Sequence, residues 1–491
     1  MKRIERAGVN VAMLLRVVGM LLLIETVFML IPLVTCLYYH EHDWLDFTVT
    51  CSATAIVGFA LVHMVKPRHS YMGKREGFLL TAMVWVVFSI FGMIPFLLSD
   101  VPLSVTDAFF EAMSGFTTTG ASVLDSVEGM SHGVLMWRAL MQWIGGMGII
   151  MFTLAVVPML NSSGGMQMFN AEVTGITHDK LRPRISQTAK SLWMVYIGLT
   201  VILIVLLWLG PMTGFESVCH AFGAISTGGF STAQGSIEDW HSVYVKVVLT
   251  VFMFLGGVNF GLIYKASVGK WQSLRSNDVL RVYVGTIAVM LVLFAASIAW
   301  YGAGDSWQSF TVDPLFAIVS TITSTGYSVA DFERWGPFVL SLMFLMMFSG
   351  ACAGSTSGGA KLDRVIYMVK NCANEVYRCI YPNSIRSVRV NGKVVSSELV
   401  SKVIAFLCIY MMLVCLGGTL LTALGLPPVD SFFSCFSCVS NTGLGAGVTG
   451  YGGSYALVPE TGKWVLSLLM LVGRLEIFTV LILFVPSFWH R

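Results

Sequence analysis

The sequence predicts an all-α polytopic membrane protein in which about ten spanning helices form four repeated units, preceded by two extra helices. Three observations predict this fold class. The 491 residues have a mean hydropathy of +0.77 and only 12% of them are charged, which excludes a chain of soluble domains. Apolar runs of about 20 residues, the helical length that crosses a hydrocarbon core of about 30 Å, recur along the whole chain, for example at residues 17–37 and 192–209. The third observation is an internal repeat of span, half-helix, loop and span.

The first two helices form a pair within residues 1–70, before the repeats begin. The first of them, predicted at residues 8–39, follows a short basic tail. No cleavage site of small residues is recognisable, so we expect an uncleaved span rather than a signal peptide.

The distribution of basic residues predicts the orientation in the membrane. Of the 30 Lys and Arg residues, 25 fall in the first 16 residues, in segments 66–75, 180–190, 265–281 and 361–402, and at Arg491. The predicted spans place all of these on one side, which by the positive-inside rule is the cytoplasm, so both termini are predicted to be cytoplasmic. The opposite connections are mildly acidic. They either steer cations to an entrance or merely reflect the scarcity of Lys and Arg in translocated loops.

The chain contains a fourfold internal repeat. Four segments align without gaps, starting at Asp107, Phe215, Asp313 and Asp430. Thirteen residues after its start, each segment reaches a glycine that follows a threonine, which itself follows a small polar residue. The candidate site residues defined in this way are Thr118, Thr119 and Gly120; Ser226, Thr227 and Gly228; Ser324, Thr325 and Gly326; and Asn441, Thr442 and Gly443.

Each of these loops follows a mostly apolar stretch of about 13 residues. As a helix this stretch rises roughly 20 Å, which is too short to cross the membrane, so we predict a re-entrant half-helix in each unit. One full-length span precedes each half-helix and another follows it. The predicted units are pore repeat 1 (residues 71–175), repeat 2 (176–275), repeat 3 (276–390, with a broken second span) and repeat 4 (391–491).

The four units are suited to one pore for cations. A half-helix that enters from the outside directs its C-terminal end, with about half a negative elementary charge, toward the middle of the membrane. The following loop has irregular backbone, which is tolerated at this depth only where it lines a cavity, and its glycine permits the necessary turn. Four such loops, the filter loops, form a ring of carbonyl oxygens that can replace the hydration shell of an ion. The alternative, loops with glycine for packing only, does not explain the shared register.

Three further parts of the chain accompany the filter loops. They read WIGGMGII at 143–150 with VPMLNSSGGMQ at 157–167, KLRPRISQTAKSLW at 180–193, and LVGRLE at 471–476. With the loops and the two extra helices, they make the chain resemble the Trk/Ktr/HKT superfamily of potassium transporters over essentially its whole length, and within it the TrkH-type membrane subunits.

The resemblance implies potassium uptake across the bacterial plasma (inner) membrane, with one filter glycine per repeat bearing on selectivity. Serine replaces the first of these glycines in some sodium-transporting plant members, so Gly120 points to potassium. The resemblance also implies a homodimer and a cytosolic regulatory ring of the TrkA kind that binds nucleotides. Potassium is then the transported ligand and membrane lipid surrounds the chain. We expect neither an organic cofactor nor a nucleic-acid partner.

The second span of repeat 3 is interrupted by small residues that hold a helix poorly, in the segment Gly350-ACAGSTSGGA-Lys361. A break there frees backbone groups that must face protein or water. We therefore predict a flexible loop beneath the filter, which resembles the intramembrane gating loop of the family. The alternative is close packing of helices through small residues. The candidate gate residues in this segment are Gly350, Gly354, Gly358 and Gly359.

Arg474 lies about a dozen residues into the last span, roughly 18 Å of helical rise, and so near the middle of the membrane. An arginine there costs several kcal/mol unless it faces a cavity or a partner. Glu476 is only two residues away and points to another face of the helix, which makes it a poor partner within the helix. We therefore predict that Arg474 projects into the pore below the filter as a positive barrier. An ion pair with Glu25 on the first span is the alternative.

These features predict channel-like potassium uptake through one filter of four backbone-carbonyl loops, gated by the glycine-rich loop and Arg474. An ion-coupled (proton or sodium) secondary transporter is the alternative, although all four units share one orientation and so lack the inverted repeats of many such transporters. An enzyme is not expected, because the predicted mid-membrane residues include no convergent acid, base or nucleophile.

Overall fold

The computed structural model describes residues 9–65, 73–124, 126–146, 148, 185–450 and 453–489. Nearly all of its regular structure is helical, which confirms the predicted all-α polytopic membrane fold. Several sequence features lie outside the described residues: the basic N-terminal tail, most of the basic segment 66–75, the stretch 157–167, and parts of the stretches 143–150 and 180–193.

The described helices are numbered here in chain order. They are α1 (Val11–Tyr39), α2 (Trp44–Met64), α3 (Lys74–Gly92), α4 (Ile94–Leu98), α5 (Val105–Phe116), α6 (His132–Gly146), α7 (Ile185–Trp208), α8 (Gly214–Ser226), α9 (Val243–Gly256), α10 (Phe260–Ser267), α11 (Gln272–Arg275), α12 (Asp278–Tyr301), α13 (Trp307–Phe310), α14 (Val312–Ile322), α15 (Pro337–Ser349), α16 (Leu362–Ile380), α17 (Ser397–Ala423), α18 (Pro428–Ser440), α19 (Glu460–Arg474), α20 (Ile477–Leu481) and α21 (Pro486–Trp489). An antiparallel hairpin of two-residue strands, β1 (Arg389–Val390) and β2 (Lys393–Val394), joins α16 to α17.

Six spans in the described part of the chain are long and apolar enough to cross a membrane: α1, α2, α3 continued by α4, α7, α12 and α17. Two bent pairs are further spans if each counts as one, namely α9 with α10, bent by 103°, and α19 with α20, bent by 114°. The apolar helix α15 and the helix α16 lie on either side of the segment 350–361, and the 15-residue helix α6 follows the first filter loop. The ten predicted spans correspond to the six long spans, the two bent pairs, α15 with α16 taken as one divided span, and α6.

Four short helices, α5, α8, α14 and α18, correspond to the predicted half-helices. They have 11 to 13 residues, a rise of about 17–20 Å that cannot cross the membrane. Each carries one acidic residue in its first turn, where a negative charge stabilises the positive end of the helix dipole. These acids are Asp107, Glu216, Asp313 and Asp430.

The half-helices and spans pack in a closed circular order. Each half-helix contacts the span before it and the span after it, and also the second span of the preceding repeat. Thus α8 contacts α6, α14 contacts α9, and α18 contacts α15. The circle closes because α5, in the first repeat, contacts α19 of the last repeat. One axis therefore runs between the four half-helices.

Two ion pairs join neighbouring repeats at the first turns of the half-helices. Lys246 on α9 lies 2.7 Å from Asp313 on α14, and Lys463 on α19 donates a hydrogen bond to Asp107 on α5. The lysine side chains are only 11% and 6% exposed. Removal of one partner from a largely buried pair leaves an uncompensated charge, which costs more than the pair contributes.

We expect Lys463→Met to lower the thermal unfolding midpoint of the detergent-purified protein, because Asp107 then loses its counter-charge. The loss of stability should reach about 3 kcal/mol, the lower end for buried pairs, since Asp107 is partly exposed. Adding Asp107→Asn should recover part of the loss. Lys402→Met is the matched control, because Lys402 pairs with Glu398 at the surface, and it should change the midpoint little. Equal midpoints for Lys463→Met and Lys402→Met would contradict a role of the pair in closing the circle.

Candidate functional site

All four half-helices end in the same backbone turn. One residue adopts the left-handed conformation, with φ between 52° and 56°, and the N–H of the next residue donates to a carbonyl five residues back at 2.8–2.9 Å. A glycine with φ between 76° and 82° follows directly. The left-handed residues are Thr118, Thr227, Ser324 and Asn441, and the glycines are Gly120, Gly229, Gly326 and Gly443.

This turn corrects the predicted register of the second filter loop by one residue. Its hydrogen bond from Gly228 N to Gly223 O matches the bond from Thr119 N to Ser114 O in the first loop. Gly229, not Gly228, is therefore the structural equivalent of Gly120. The sequence alignment followed the Thr-Gly pair, whereas the second loop reads Thr-Gly-Gly, with glycine in the place of the second threonine.

The sequence contains a signal for the corrected register, namely the acidic residue at the start of each half-helix. Glu216 precedes Gly229 by thirteen residues, the spacing from Asp107 to Gly120. With this start, all four segments begin with an acid in the first turn of a half-helix, where the helix dipole favours it. The gapless alignment started instead at Phe215 and matched only three acids.

The four filter glycines form a ring of close contacts between neighbouring loops. A Cβ atom on any of them would lie under 3.0 Å from a backbone carbonyl oxygen of the next loop, closer than real side chains approach. The left-handed φ of each glycine also disfavours a side chain. The contacts run in circular order, from Gly120 to Gly228 O, from Gly229 to Thr325 O, from Gly326 to Thr442 O, and from Gly443 to Thr119 O.

Behind the ring, three loops share a pair of hydroxyl groups. Thr117 and Thr119, Thr323 and Thr325, and Ser440 and Thr442 each lie 2.8 Å apart, oxygen to oxygen. The second loop lacks this pair because Gly228 has no side chain. Gln142 from α6 lies there instead: its Nε2 donates to Gly228 O at 2.7 Å, and its Oε1 accepts from Phe230 N at 3.0 Å.

A buried ion pair supports the outer ends of the first two loops. Arg138 on α6 donates to Glu111 on α5 at 2.8 Å, and their side chains are 2% and 0% exposed. The same guanidinium donates to Ser122 Oγ, after the first filter loop, and to Ser231 O, after the second. The pair therefore joins two loops without leaving a net charge. Sequence analysis missed Arg138, Glu111 and Gln142, because each lies among apolar residues and forms no motif with its neighbours in sequence.

An outer cavity of ≈ 150 Å³ opens above the ring. Its lining includes the four glycines with left-handed φ, Gly120, Gly229, Gly326 and Gly443. Backbone carbonyls of neighbouring loops surround the axis at the ring, and the negative C-terminal ends of the half-helices lie on its inner side, where the segment 350–361 contacts two of them. Such an arrangement attracts a cation, and its carbonyl oxygens can replace the water molecules that coordinate the ion in solution.

The connection between α1 and α2 fixes the outer end of α6, which carries Arg138 and Gln142. Glu41 accepts hydrogen bonds from the backbone N–H of His132 at 2.8 Å and of Gly133 at 3.2 Å, which caps the start of the helix. Asp43 accepts a hydrogen bond from the Ser131 hydroxyl. Burial raises the pKa of the Asp43 carboxyl, and the bond from Ser131 opposes this shift.

The segment 350–361 lies directly beneath the ends of three half-helices. Gly358 N donates to Ser324 Oγ after α14, and Gly359 N donates to Ser440 O at 2.8 Å, at the end of α18. Thr356 Oγ1 donates to Ile225 O near the end of α8 at 3.0 Å. The segment therefore crosses the axis on the inner side of the ring.

The glycines of this segment permit its path. Gly350, Gly354 and Gly359 have φ values of 59°, 76° and 73°, a backbone conformation that residues with a side chain rarely adopt. Gly358 has an ordinary φ, but a Cβ atom there would overlap the Ser440 carbonyl.

Breaks in neighbouring spans satisfy the backbone of the segment 350–361. The bend between α9 and α10 provides Gly256 O and Gly257 O, which accept from Thr356 N at 3.3 Å and from Cys352 N at 3.1 Å. Asn259 caps α10 and donates to Ala353 O at 2.6 Å. Irregular backbone at membrane depth is tolerated because these groups pair with one another.

Arg474 ends α19, at the point where the last span bends. Its two terminal nitrogens donate to Thr356 O of the segment 350–361 and to Gly145 O of α6, both at 2.9 Å. Within the described residues, neither carboxylate oxygen of Glu25 has a hydrogen-bond partner, so an Arg474–Glu25 hydrogen bond is absent there. Glu476, in a left-handed conformation just after α19, instead pairs with Arg364 on α16 at 2.6 Å.

An inner cavity of ≈ 30 Å³ lies beneath the ring, about the space of one water molecule. Thr356, Gly358, Lys361, Arg474 and Asn441 are among its lining residues. Lys361 is buried, and its Nζ donates to Ser357 O. The side chains of Lys361, Arg474 and Glu476 therefore line the inner end of the axis, where the segment 350–361 leaves little room.

Comparison with known proteins gives one family. Residues 46–491 match the family model TrkH, described as a cation transport protein. The Trk system potassium uptake protein TrkH of Escherichia coli strain K12 is 34% identical over 480 residues, covering 97% of this chain and 99% of that protein. TrkG of the same strain, also named a Trk system potassium uptake protein, is 31% identical over 475 residues, covering 96% and 97%.

A solved structure has the same fold. The crystal structure of the potassium transporter TrkH from Vibrio parahaemolyticus superimposes with a TM-score of 0.88 at 31% sequence identity. The match covers 98% of this chain and 100% of that one.

We expect Gly229→Ala to destabilise the protein more than Gly228→Ala. At Gly229 the added methyl would overlap the Thr325 carbonyl and require a left-handed φ, which together cost about 2–5 kcal/mol. At Gly228 the overlap is with the side chain of Gln142, which can shift at the cost of its two hydrogen bonds, whereas a backbone carbonyl cannot. Thermal unfolding of the two purified variants measures the difference. A larger loss for Gly228→Ala would contradict the corrected register.

Proposed function

Because this chain belongs to the TrkH family of cation transport proteins, we propose that it takes up potassium by channel-like conduction through the ring of four filter loops. The observation that carries the proposal is the closed circle of contacts between each filter glycine and the carbonyl of the next loop. A circle of backbone carbonyls around one axis can replace the water shell of potassium without any covalent step. The family and the relatives are transport proteins, which points away from an enzyme.

The proposed filter comprises three residues from each loop, and in the second loop it uses the corrected register. An ion enters the outer cavity, exchanges water for carbonyl oxygens at the ring, and is attracted through the ring by the negative half-helix ends on the inner side. The filter residues are Thr118, Thr119 and Gly120; Thr227, Gly228 and Gly229; Ser324, Thr325 and Gly326; and Asn441, Thr442 and Gly443.

The segment 350–361 and Arg474 form the proposed gate. The segment crosses the axis beneath the ring and leaves a cavity of only ≈ 30 Å³, so it must move before an ion reaches the inner side. Arg474 holds the segment through Thr356 O and adds a positive charge to the exit. A cation at the exit meets less repulsion when the segment and the arginine withdraw together.

The setting of the protein is proposed on the family and on the charge pattern. The relatives are named as proteins of a Trk system, which supports a membrane subunit that works with other Trk components. A homodimer in the bacterial inner membrane and a cytosolic TrkA-type nucleotide-binding ring are proposed on the family resemblance alone. Basic residues in the connection from α16 to α17, such as Arg386 and Lys393, favour a cytoplasmic side for this surface and contact with anionic lipid.

Flux through the purified protein in liposomes tests the proposed function. Potassium flux down its gradient should exceed sodium flux and should continue without a proton or sodium gradient, because conduction through a ring of carbonyls needs no coupling ion. Equal flux for both ions would contradict the potassium filter. Flux that stops without a proton or sodium gradient would favour the alternative, an ion-coupled secondary transporter.

We expect Gly120→Ser to lower the ratio of potassium to sodium flux in the same liposomes. The serine side chain would displace the Gly228 carbonyl that faces this glycine and so change the spacing of the oxygens. Gly129→Ser is the matched control, since Gly129 has no atom within 4 Å of the added Cβ. An unchanged ratio for Gly120→Ser would remove Gly120 from the filter.

We expect Arg474→Ala to raise the potassium flux severalfold, because the segment 350–361 loses a hydrogen bond and the exit loses a positive charge. Arg474→Lys keeps the charge without the planar pair of donors, and separates the two effects. If Arg474→Ala folds normally and its flux is unchanged, the arginine is no barrier. If it fails to fold, the arginine is structural.

A further inference from the structure

The second filter loop differs from the other three in the layer behind the ring. In loops 1, 3 and 4, the residue three positions before the filter glycine carries a hydroxyl group. This hydroxyl pairs with that of the threonine directly before the glycine. The second loop has Ser226 at the first position but Gly228 at the second. The hydroxyl of Ser226 turns back to Gly223 O at 3.2 Å. This loop therefore lacks the side-chain bond that the others share.

Gln142 occupies the space that the missing threonine would need. A Cβ atom on Gly228 would overlap the amide carbon and both polar atoms of the Gln142 side chain. Gln142 is fully buried, and both ends of its amide are used: the nitrogen donates to Gly228 O and the oxygen accepts from Phe230 N. The amide therefore bridges the residues on either side of Gly229.

The bridge acts on a carbonyl of the ring itself. Gly228 O is the oxygen that faces Gly120 of the first loop, in the circle of contacts. Gln142 belongs to α6, the span that follows the first loop and packs against α8. Repeat 1 therefore contributes both Gly120, which faces Gly228 O, and Gln142, which donates a hydrogen bond to the same oxygen.

We propose that Gln142 is the positioning residue of the second filter loop, in place of the hydroxyl pair, and that it helps to set ion selectivity. The inference rests on the proposed function, since it assigns a role within the proposed filter. Loss of the amide frees Gly228 O and Phe230 N from fixed positions, so the spacing of carbonyls around the axis is no longer the same in the four loops. Selectivity between two monovalent cations depends on that arrangement of oxygens.

The glycine at 228 and the glutamine at 142 are complementary, which provides a swap experiment. Gln142→Ala removes the bridge, and Gly228→Thr adds a side chain that overlaps Gln142. When the two changes are combined, the introduced threonine has room and its hydroxyl faces Ser226, the pairing that Ser440 and Thr442 make. Gly228 has no left-handed φ, so the backbone accepts a threonine there.

The ratio of potassium to sodium flux in liposomes is the readout, because a residue that only supports folding would change total flux and leave the ratio. We expect each single variant to lower the ratio roughly five- to tenfold, the order of one lost hydrogen bond. The combined variant should recover it to within about twofold. Gln142→Leu, which keeps the volume without the polar atoms, should resemble Gln142→Ala, and Gln272→Leu, at an exposed position on α11, should have no effect.

An unchanged ratio in Gln142→Ala, or a combined variant no better than the worse single one, would overturn the inference. If Gln142→Ala does not fold, recovery of folding in the combined variant supports it and continued misfolding contradicts it. Gly120→Ser in the same assay distinguishes failure of the role of Gln142 from failure of the proposed filter. If Gly120→Ser lowers the ratio and Gln142→Ala does not, only the role of Gln142 fails; if neither does, the proposed filter fails.

Discussion

The close approach of each filter glycine to the next loop is the constraint on which the rest of the structure depends. A side chain at Gly120, Gly229, Gly326 or Gly443 would overlap a backbone carbonyl, so the ring closes only with glycine at these positions. The ring in turn sets the order of the repeats, because each half-helix packs on the second span of the preceding repeat and α19 completes the circle on α5. The lysine–aspartate pairs across two of these interfaces follow the same order.

Irregular backbone in the middle of a membrane needs partners, and this chain provides them differently in each repeat. Hydroxyl pairs support filter loops 1, 3 and 4, and the Gln142 amide supports loop 2. The Arg138–Glu111 pair joins the outer ends of two loops, and the segment 350–361 accepts and donates hydrogen bonds on the inner side. Side chains without fourfold symmetry thus hold a backbone that repeats four times around the axis.

Local pattern was sufficient for the fold, because hydropathy, half-helix length and the Thr-Gly repeat are each readable within one segment. It was insufficient where a residue acts through a distant partner. The predicted register of the second loop differed by one residue because Thr-Gly-Gly offers two glycines. The left-handed φ of Gly229 and its contact with Thr325 O distinguish them in the structure. Gln142 and Arg138 lie among apolar residues, and their roles depend on contacts about 90 residues away in sequence. For Arg474 the sequence indicated depth, but not the bond to Thr356 O.

Anomalous diffraction from crystals grown in rubidium, a heavier ion of similar chemistry to potassium, is the most direct test of the central claim. The account predicts rubidium density on the axis between the four loops, at the level of Gly120, Gly229, Gly326 and Gly443, and weaker occupancy when potassium competes but not when sodium does. Density at another site in the protein, with none inside the ring, would contradict a filter built from these loops.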